Sequence, residues 1–362
     1  MDSQAPDIYD DVNTLQTMDS LTQAALGASV TCAVMGRHAR FRTAVLVGAM
    51  AGTLPDLDVL IDHGDDLMNM VRHRAESHAL LFLSLAAPLF GWLTHRFLQG
   101  RSGTQNPQLL WRWCLAWWLT FMTHVGIDAM TNYGTQWAQP FTDHAFAVGS
   151  VFIVDPLYTV PLIIGLLAAG WRAGRGRAWE RPIHIALAVS CCYLLWSVAA
   201  QQHVRNLAEP ALKAHGVDHA QLWVSATTFN TVLWRVVAIT PTHSYEGFYS
   251  LFDKDKHIAL TATPRGNDYL QRWAHVPHVQ ALRRFTQDQV RMELRHGRVL
   301  MTDLRIGQEP DYIFVFDLGT PAELDSGHLT PQIASNPVDW PMLLGQLWRR
   351  MWGSRILTTG FQ

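Results

Sequence analysis

The sequence predicts a mainly α protein: a multi-helix integral membrane domain followed by a soluble C-terminal α+β domain. Three observations carry this. Only 16% of the 362 residues are charged, against roughly 25% in an ordinary soluble domain. Six apolar segments lie before residue 202, and beyond it the apolar runs shorten to strand length. The expected divisions are a flexible acidic tail over 1–18, a helical membrane domain over 19–202, and an α+β domain with a terminal amphipathic helix over 203–362.

The first twenty residues carry Asp2, Asp7, Asp10, Asp11 and Asp19, the opposite of the basic start of a signal peptide, so no cleaved leader is expected. The apolar segments follow at 20–36, 43–61, 79–95, 113–130, 150–171 and 183–200. Most of their charge-free cores are shorter than the ~20 residues of a typical spanning helix, but the arginines between them alternate in sidedness. Arg37, Arg40 and Arg42, then Arg96, Arg101 and Arg112, then Arg172, Arg175, Arg177 and Arg181 fill every second connection. By the positive-inside rule those connections are cytoplasmic, whereas 62–78, 131–149 and both termini face outward. Segment 20–36 is expected to be re-entrant or interfacial.

Beyond residue 202, strands are expected at 233–239, 247–252, 257–262, 298–306 and 312–318, with one helix near 276–296. The run 339–352 places Trp340, Leu344, Leu347, Trp348 and Met351 on one helical face. Such a helix either lies in a membrane interface or covers the sheet. A net charge of −2 leaves no footprint for nucleic acid. The four cysteines (Cys32, Cys114, Cys191 and Cys192) sit in apolar runs without Cys-x-x-Cys spacing, which reads as packing.

Four polar clusters interrupt the apolar region: Asp56, Asp58 and Asp62; His73, Arg74, Glu76, Ser77 and His78; His124 and Asp128; and Asp155. In the arginine-loop topology all four fall at the outward face. Ionisable groups at membrane depth point to function, because an unpaired one is costly there. His124 and Asp128 are one helical turn apart and can clamp one ion. His73 and His78 stand about 140° apart on a regular helix, so they converge only if His73 belongs to the preceding loop. Asp56 and Asp58 point the same way only in a locally extended segment, which Pro55 favours. Imidazole and carboxylate without thiolate suit a divalent metal: zinc first, then manganese or iron.

The stretches "MDSLTQAALG" (18–27), "GTLPDLD" (52–58), "HRAESHALL" (73–81), "HVGIDAMTNYGTQ" (124–136) and "VDPLYTVPLI" (154–163) look like the YdjM-type membrane-bound metal-dependent hydrolases. That family is also labelled LexA-binding, inner membrane-associated hydrolase. The resemblance spans roughly 18–200, and "NTVLWRVV" (230–237) resembles the tail of longer members. The family is distantly similar to zinc-dependent phospholipase C, which implies Asp58, His73, His78, His124 and Asp128 as metal ligands. Members often carry a histidine after Asp-x-Leu-Thr in the first motif. Gln23 stands there instead, which implies fewer metals or weaker binding. Nothing in the chain is basic enough for DNA or distinctive enough for a repressor contact.

The expected activity is hydrolysis of a phosphoester or acyl lipid at the outer face of the inner membrane, with membrane lipids as partners. In this reading Asp56 or Asp155 serves as general base or orients water, and Arg74 clamps an anionic substrate oxygen. The alternative from another class is a non-catalytic metal-binding scaffold or stress-response interaction protein.

Overall fold

The computed structural model describes residues 8–99, 107–217, 220–335 and 338–354. Each of the six apolar segments contributes a helix: α1 (Ile8–Met35), α2 (Phe41–Thr53), then, after the short α3 (Asp66–Arg72), α4 (Leu80–Gln99), α5 (Pro107–Ala129), α6 (Pro156–Ala173) and α7 (Glu180–Ala214). Of the 3-10 helices between them, Pro55–Leu60 carries Asp56 and Asp58, and Glu76–His78 carries Ser77 and His78.

Helix α1 is longer than the apolar segment at 20–36. It runs continuously from Ile8, through residues expected as a flexible tail, to Met35, and packs against α2, α5, α6 and α7. Residues 1–7 lie outside the described residues. The reason α1 can sit among so many neighbours is the small size of its contact residues. A Cβ on Gly27 would stand 2.3 Å from the Gly48 carbonyl oxygen, one on Gly48 would stand 2.4 Å from the Gly27 oxygen, and one on Gly52 would stand 2.3 Å from the Gln23 oxygen. The α1–α2 crossing is therefore backbone against backbone, the small-residue packing typical of membrane helices.

After residue 220 the chain forms two antiparallel four-stranded sheets. The first has the order β1 (Gln221–Ala226), β2 (Leu233–Ile239), β3 (His243–Ser250), β4 (Thr261–Pro264). Helices α8 (Asn267–Arg272) and α9 (Pro277–Phe285) then lead into β5 (Val290–Arg295) and β6 (Arg298–Asp303). A short pair, β7 (Gly307–Gln308) and β8 (Asp311–Tyr312), precedes β9 (Val315–Gly319), α10 (Pro321–Ser326), β10 (Gln332–Ile333) and α11 (Trp340–Met351). The second sheet has the order β10-β9-β6-β5.

Three local expectations change here. The helix expected over 276–296 stops at Phe285, because Gln287 and Asp288 take positive φ. Val290 and Met292 then point inward at strand period and make β5. Pairing expected from 257 starts at Thr261, and β1 is a strand the sequence reading did not contain. For α11, Leu347 and Met351 pack on Leu233 of β2, and Arg350 pairs with Asp253 at 2.7 Å. The helix covers the first sheet, with Trp348 and Trp352 exposed.

Helix α7 joins the two regions. Its 35 residues extend for roughly 50 Å at ~1.5 Å per residue. The first half packs against α6, and Ala200, Val204, Ala208 and Leu212 of the second half enter one core with Leu222, Val224, Trp234 and Val236. The second sheet builds its core with α8 and α9 and includes Leu67 and Met70 of α3 and Tyr133 of the α5–α6 connection. The C-terminal region thus holds the loops at one end of the bundle.

Gly48→Ala should force α1 and α2 apart. A loss of about 1–3 kcal/mol is expected for overpacking of this kind, read as a lower unfolding midpoint of the full chain in detergent.

Candidate metal centre

Each segment that brings a candidate ligand is positioned by a local sequence feature. Pro55 cannot donate the next helical hydrogen bond, so α2 gives way to the 3-10 helix Pro55–Leu60 rather than to the extended segment expected. At three residues per turn, side chains two apart diverge. Asp56 accordingly enters the centre and Asp58 turns to the supporting side. The segment carrying His73, Arg74 and His78 is pinned by the α5–α6 connection. Gln136 N–H donates to the Arg74 carbonyl (2.9 Å), Leu80 N–H to the Trp137 carbonyl (2.9 Å), and Tyr133 O–H to the Met70 carbonyl (2.7 Å). His124 and Asp128 share one face of α5.

Asp56, His78, His124 and Asp128 converge, their donor atoms all within 4.8 Å of one another. His78 Nε2 is 3.1 Å from His124 Nε2, 3.2 Å from Asp56 Oδ1 and 3.2 Å from Asp128 Oδ2. His124 Nε2 is 3.3 Å from Asp128 Oδ2 and 3.6 Å from Asp56 Oδ1. Four tetrahedral ligands at ~2.0–2.1 Å from one zinc ion would stand ~3.3 Å apart, so the spacing fits a single cation.

The tautomers fit as well. His124 Nδ1 donates to the Gly52 carbonyl at 2.7 Å. Ser77 Oγ donates to Asp58 Oδ2 at 2.5 Å and so accepts from His78 Nδ1 at 2.8 Å. Both imidazoles are left presenting the Nε2 lone pair to the same point, the arrangement in which an outer partner fixes a metal-ligating histidine. Two lone pairs facing at 3.1 Å repel unless a proton or a cation lies between them. Asp56 Oδ2 and Asp128 Oδ2 are buried and accept no hydrogen bond among the described residues. Burial disfavours the charged form of His78, but Asp128 and Asp56 outweigh it and hold its pKa above the ordinary imidazole value.

The remaining expected residues take other places. Asp58 does not join the four. Its Oδ1 accepts from His73 Nδ1 at 2.8 Å, and its Oδ2 accepts the Arg74 N–H and the Ser77 hydroxyl, so its lone pairs are committed. His73 stays outside with it, its ring 6.1 Å from His78 and 5.5 Å from Tyr133. Asp155 caps α6 through Leu157 N–H (2.9 Å) and accepts the Tyr193 hydroxyl (2.7 Å). That hydroxyl also meets Thr231 at 3.1 Å, so Asp155 ties α6 and α7 to the β1–β2 turn of the first sheet. Arg74 is 3% exposed and sits at φ 64°, a conformation costly for a non-glycine residue and found at functional sites. Its Nη2 contacts Asp19 Oδ2 at 2.5 Å and Asp128 Oδ1 at 3.4 Å, while Nε and Nη1 have no partner among the described residues. Burial works against its charge, and Asp128 and Asp19 hold its pKa above the ordinary guanidinium value.

Three supporting groups were not read as such from the sequence: the Gly52 carbonyl, Ser77 and Asp19. Backbone carbonyls leave no residue signature. Ser77 and Asp19 lie inside the quoted motifs, but their roles depend on contacts 19 and 55 residues distant.

The model of the family described as YdjM inner membrane protein matches residues 18–204, just over half of the chain. The chain belongs to the YdjM inner membrane protein family. All four converging residues lie inside the matched span. It is also 26% identical over 248 residues to the uncharacterized protein YfhP of Bacillus subtilis (strain 168), covering 66% of this chain and 68% of that one. No solved structure matches. Among the described residues, three helices are long and apolar enough to cross a membrane: α4 over Leu80–Leu98, α6 and α7. They turn large side chains outward, including Leu85, Phe97, Leu167 and Leu195. Gln23, at the position where the family resemblance implies a histidine, donates from Nε2 to Asp128 Oδ1 at 2.6 Å. It orients one carboxylate of the group.

Asp58→Asn removes the charge that organises Ser77, His73 and the Arg74 backbone. It should weaken metal binding about 10- to 100-fold, the usual loss for an outer partner of a ligand, measured by competition with a chromogenic chelator.

Proposed function

We propose that this protein is a membrane-bound metal-dependent hydrolase that cleaves a phosphoester or acyl ester of a lipid-like substrate at the outer face of the inner membrane. The observation that carries the reading is the convergence of two imidazole Nε2 atoms with Asp56 and Asp128. Asp56, His78, His124 and Asp128 would hold a divalent ion, zinc before manganese or iron. The chemistry such an ion supplies is Lewis acidity, which lowers the pKa of bound water towards about 7.

The chain's own groups define the rest. Asp56 is the least buried of the four, with 15% of its side chain exposed, so substrate approaches from its side. Its Oδ2, buried and without a hydrogen-bond partner among the described residues, would take a proton from the attacking water. Arg74 offers Nε and Nη1 to a developing negative oxygen, while Asp19 and Asp128 hold the guanidinium in position. Asp58 and Ser77 keep the His78 tautomer fixed. The alternation of arginine-rich connections supports a multi-pass arrangement with this centre and the C-terminal region on the outer side.

A second reading, a metal-binding scaffold without turnover, is favoured by one observation: His78, His124 and Asp128 are at most 1% exposed.

The full chain purified in detergent should carry stoichiometric divalent metal by elemental analysis and hydrolyse a phosphodiester or acyl ester lipid. His124→Ala should lose metal and reduce turnover by at least about 100-fold, as expected when a group acting directly on the reacting centre is impaired. Stoichiometric metal with no turnover on either ester class would leave the scaffold. Metal content unchanged in both His124→Ala and Asp128→Ala would remove the ligand assignment.

A further inference from the structure

A second charged site lies at the other end of the helices. The α1–α2 turn and the α6–α7 turn enclose an open cleft of about 1640 Å³. Helix α2 starts at this cleft and ends beside Asp56, and its 13 residues put the two sites ~20 Å apart along the helix. Six arginines line the cleft (Arg37, Arg40, Arg42, Arg172, Arg177 and Arg181) against one carboxylate, that of Glu180. Arg172 donates to the Ala178 carbonyl at 2.6 Å. The other five are exposed and have no side-chain hydrogen bond or ion pair among the described residues.

The floor is rigid. Phe41 and Trp179 meet edge to face with centroids 5.2 Å apart, and a Cβ on Gly170 would approach the Phe41 ring to 3.2 Å. Unpaired cations held together on a fixed frame repel one another, and a bound anion relieves that repulsion. Guanidinium forks match phosphate oxygens in pairs, and basic pockets between membrane helices bind phosphate-bearing head groups. One wall is apolar: Ile185 and Ala188 of α7 line the cleft, and Val189 and Leu167 continue the exposed surface beyond it. A free phosphate would use only the arginines, whereas a phospholipid uses both the arginines and this wall.

We propose that this cleft is a binding site for the phosphate of an anionic phospholipid, separate from the candidate metal centre. The test is native mass spectrometry of the full chain in non-ionic detergent, titrated with phosphatidylglycerol, phosphatidylcholine and inorganic phosphate. Phosphatidylglycerol should bind in preference to phosphatidylcholine. The variant Arg37→Gln/Arg40→Gln/Arg177→Gln should weaken that binding by roughly 100-fold, about fivefold for each cation removed. The control Arg283→Gln/Arg284→Gln/Arg295→Gln, in the C-terminal region, should bind as the wild type does. Inorganic phosphate binding with the same dependence on the three cleft arginines, and no preference between lipids, would keep the anion site and assign it to a soluble phosphate. Equal binding of all three ligands, or phosphatidylglycerol binding indifferent to the cleft variant, would overturn the proposal. If the triple variant does not elute and unfold like the wild type, Arg177→Gln alone decides, with an expected fivefold loss on an exposed turn whose side chain supports no other residue.

Discussion

Two imidazole nitrogens 3.1 Å apart, each with its Nδ1 already committed, govern this end of the molecule. Neutral imidazoles in those tautomers cannot bond to each other, and the surrounding carboxylates make the point between them favourable for positive charge. The scaffold around them is arranged to keep that geometry. The Gly52 carbonyl reaches His124 only because α1 and α2 touch through bare glycines. Ser77 can accept from its neighbour His78 because Asp58, turned away from the centre in a 3-10 helix, takes the Ser77 hydroxyl proton. A buried arginine then offsets the negative charge of Asp19 and Asp128, which would otherwise repel each other.

The C-terminal region bears on this indirectly. Its second sheet encloses α3 and Tyr133, and those elements carry or brace His73, Arg74 and His78. The α5–α6 connection is tied on both sides: Ala226 N–H of β1 donates to the Gly149 carbonyl at 3.0 Å, and Gln136 meets the Arg74 and Val71 backbone. The loops around the candidate centre are therefore part of a folded core, which suits a site whose groups must stay within tenths of an ångström.

Much of this was legible in the residues, for definite reasons. Apolar segments bounded by arginines announce helices because few other structures tolerate such runs, and all six appear. The pair His124/Asp128 was legible because one helical turn fixes its geometry. The division of labour between Asp56 and Asp58 was not, since it depends on whether the chain after Pro55 is extended or 3-10. Asp155 was not legible either: an aspartate before proline at a helix start suits a cap as well as a site, and in the structure it caps α6 and accepts the Tyr193 hydroxyl. In the C-terminal region the apolar runs located β2 and β6. The end of α9 depended on Gln287 and Asp288 adopting positive φ, which no composition signal announces.

The long helix α7 has a bearing on how such a chain can be divided. The family span closes at residue 204, yet the helix continues to Ala214, and Val204 and Ala208 already belong to the core of the first sheet. The seam between the family-matched bundle and its appendage is thus a stiff rod rather than a tether. A rotation of α7 about its own axis would carry the whole sheet with it. Neither half can be exchanged like a module on a string, because any cut at the seam leaves both pieces with an open core.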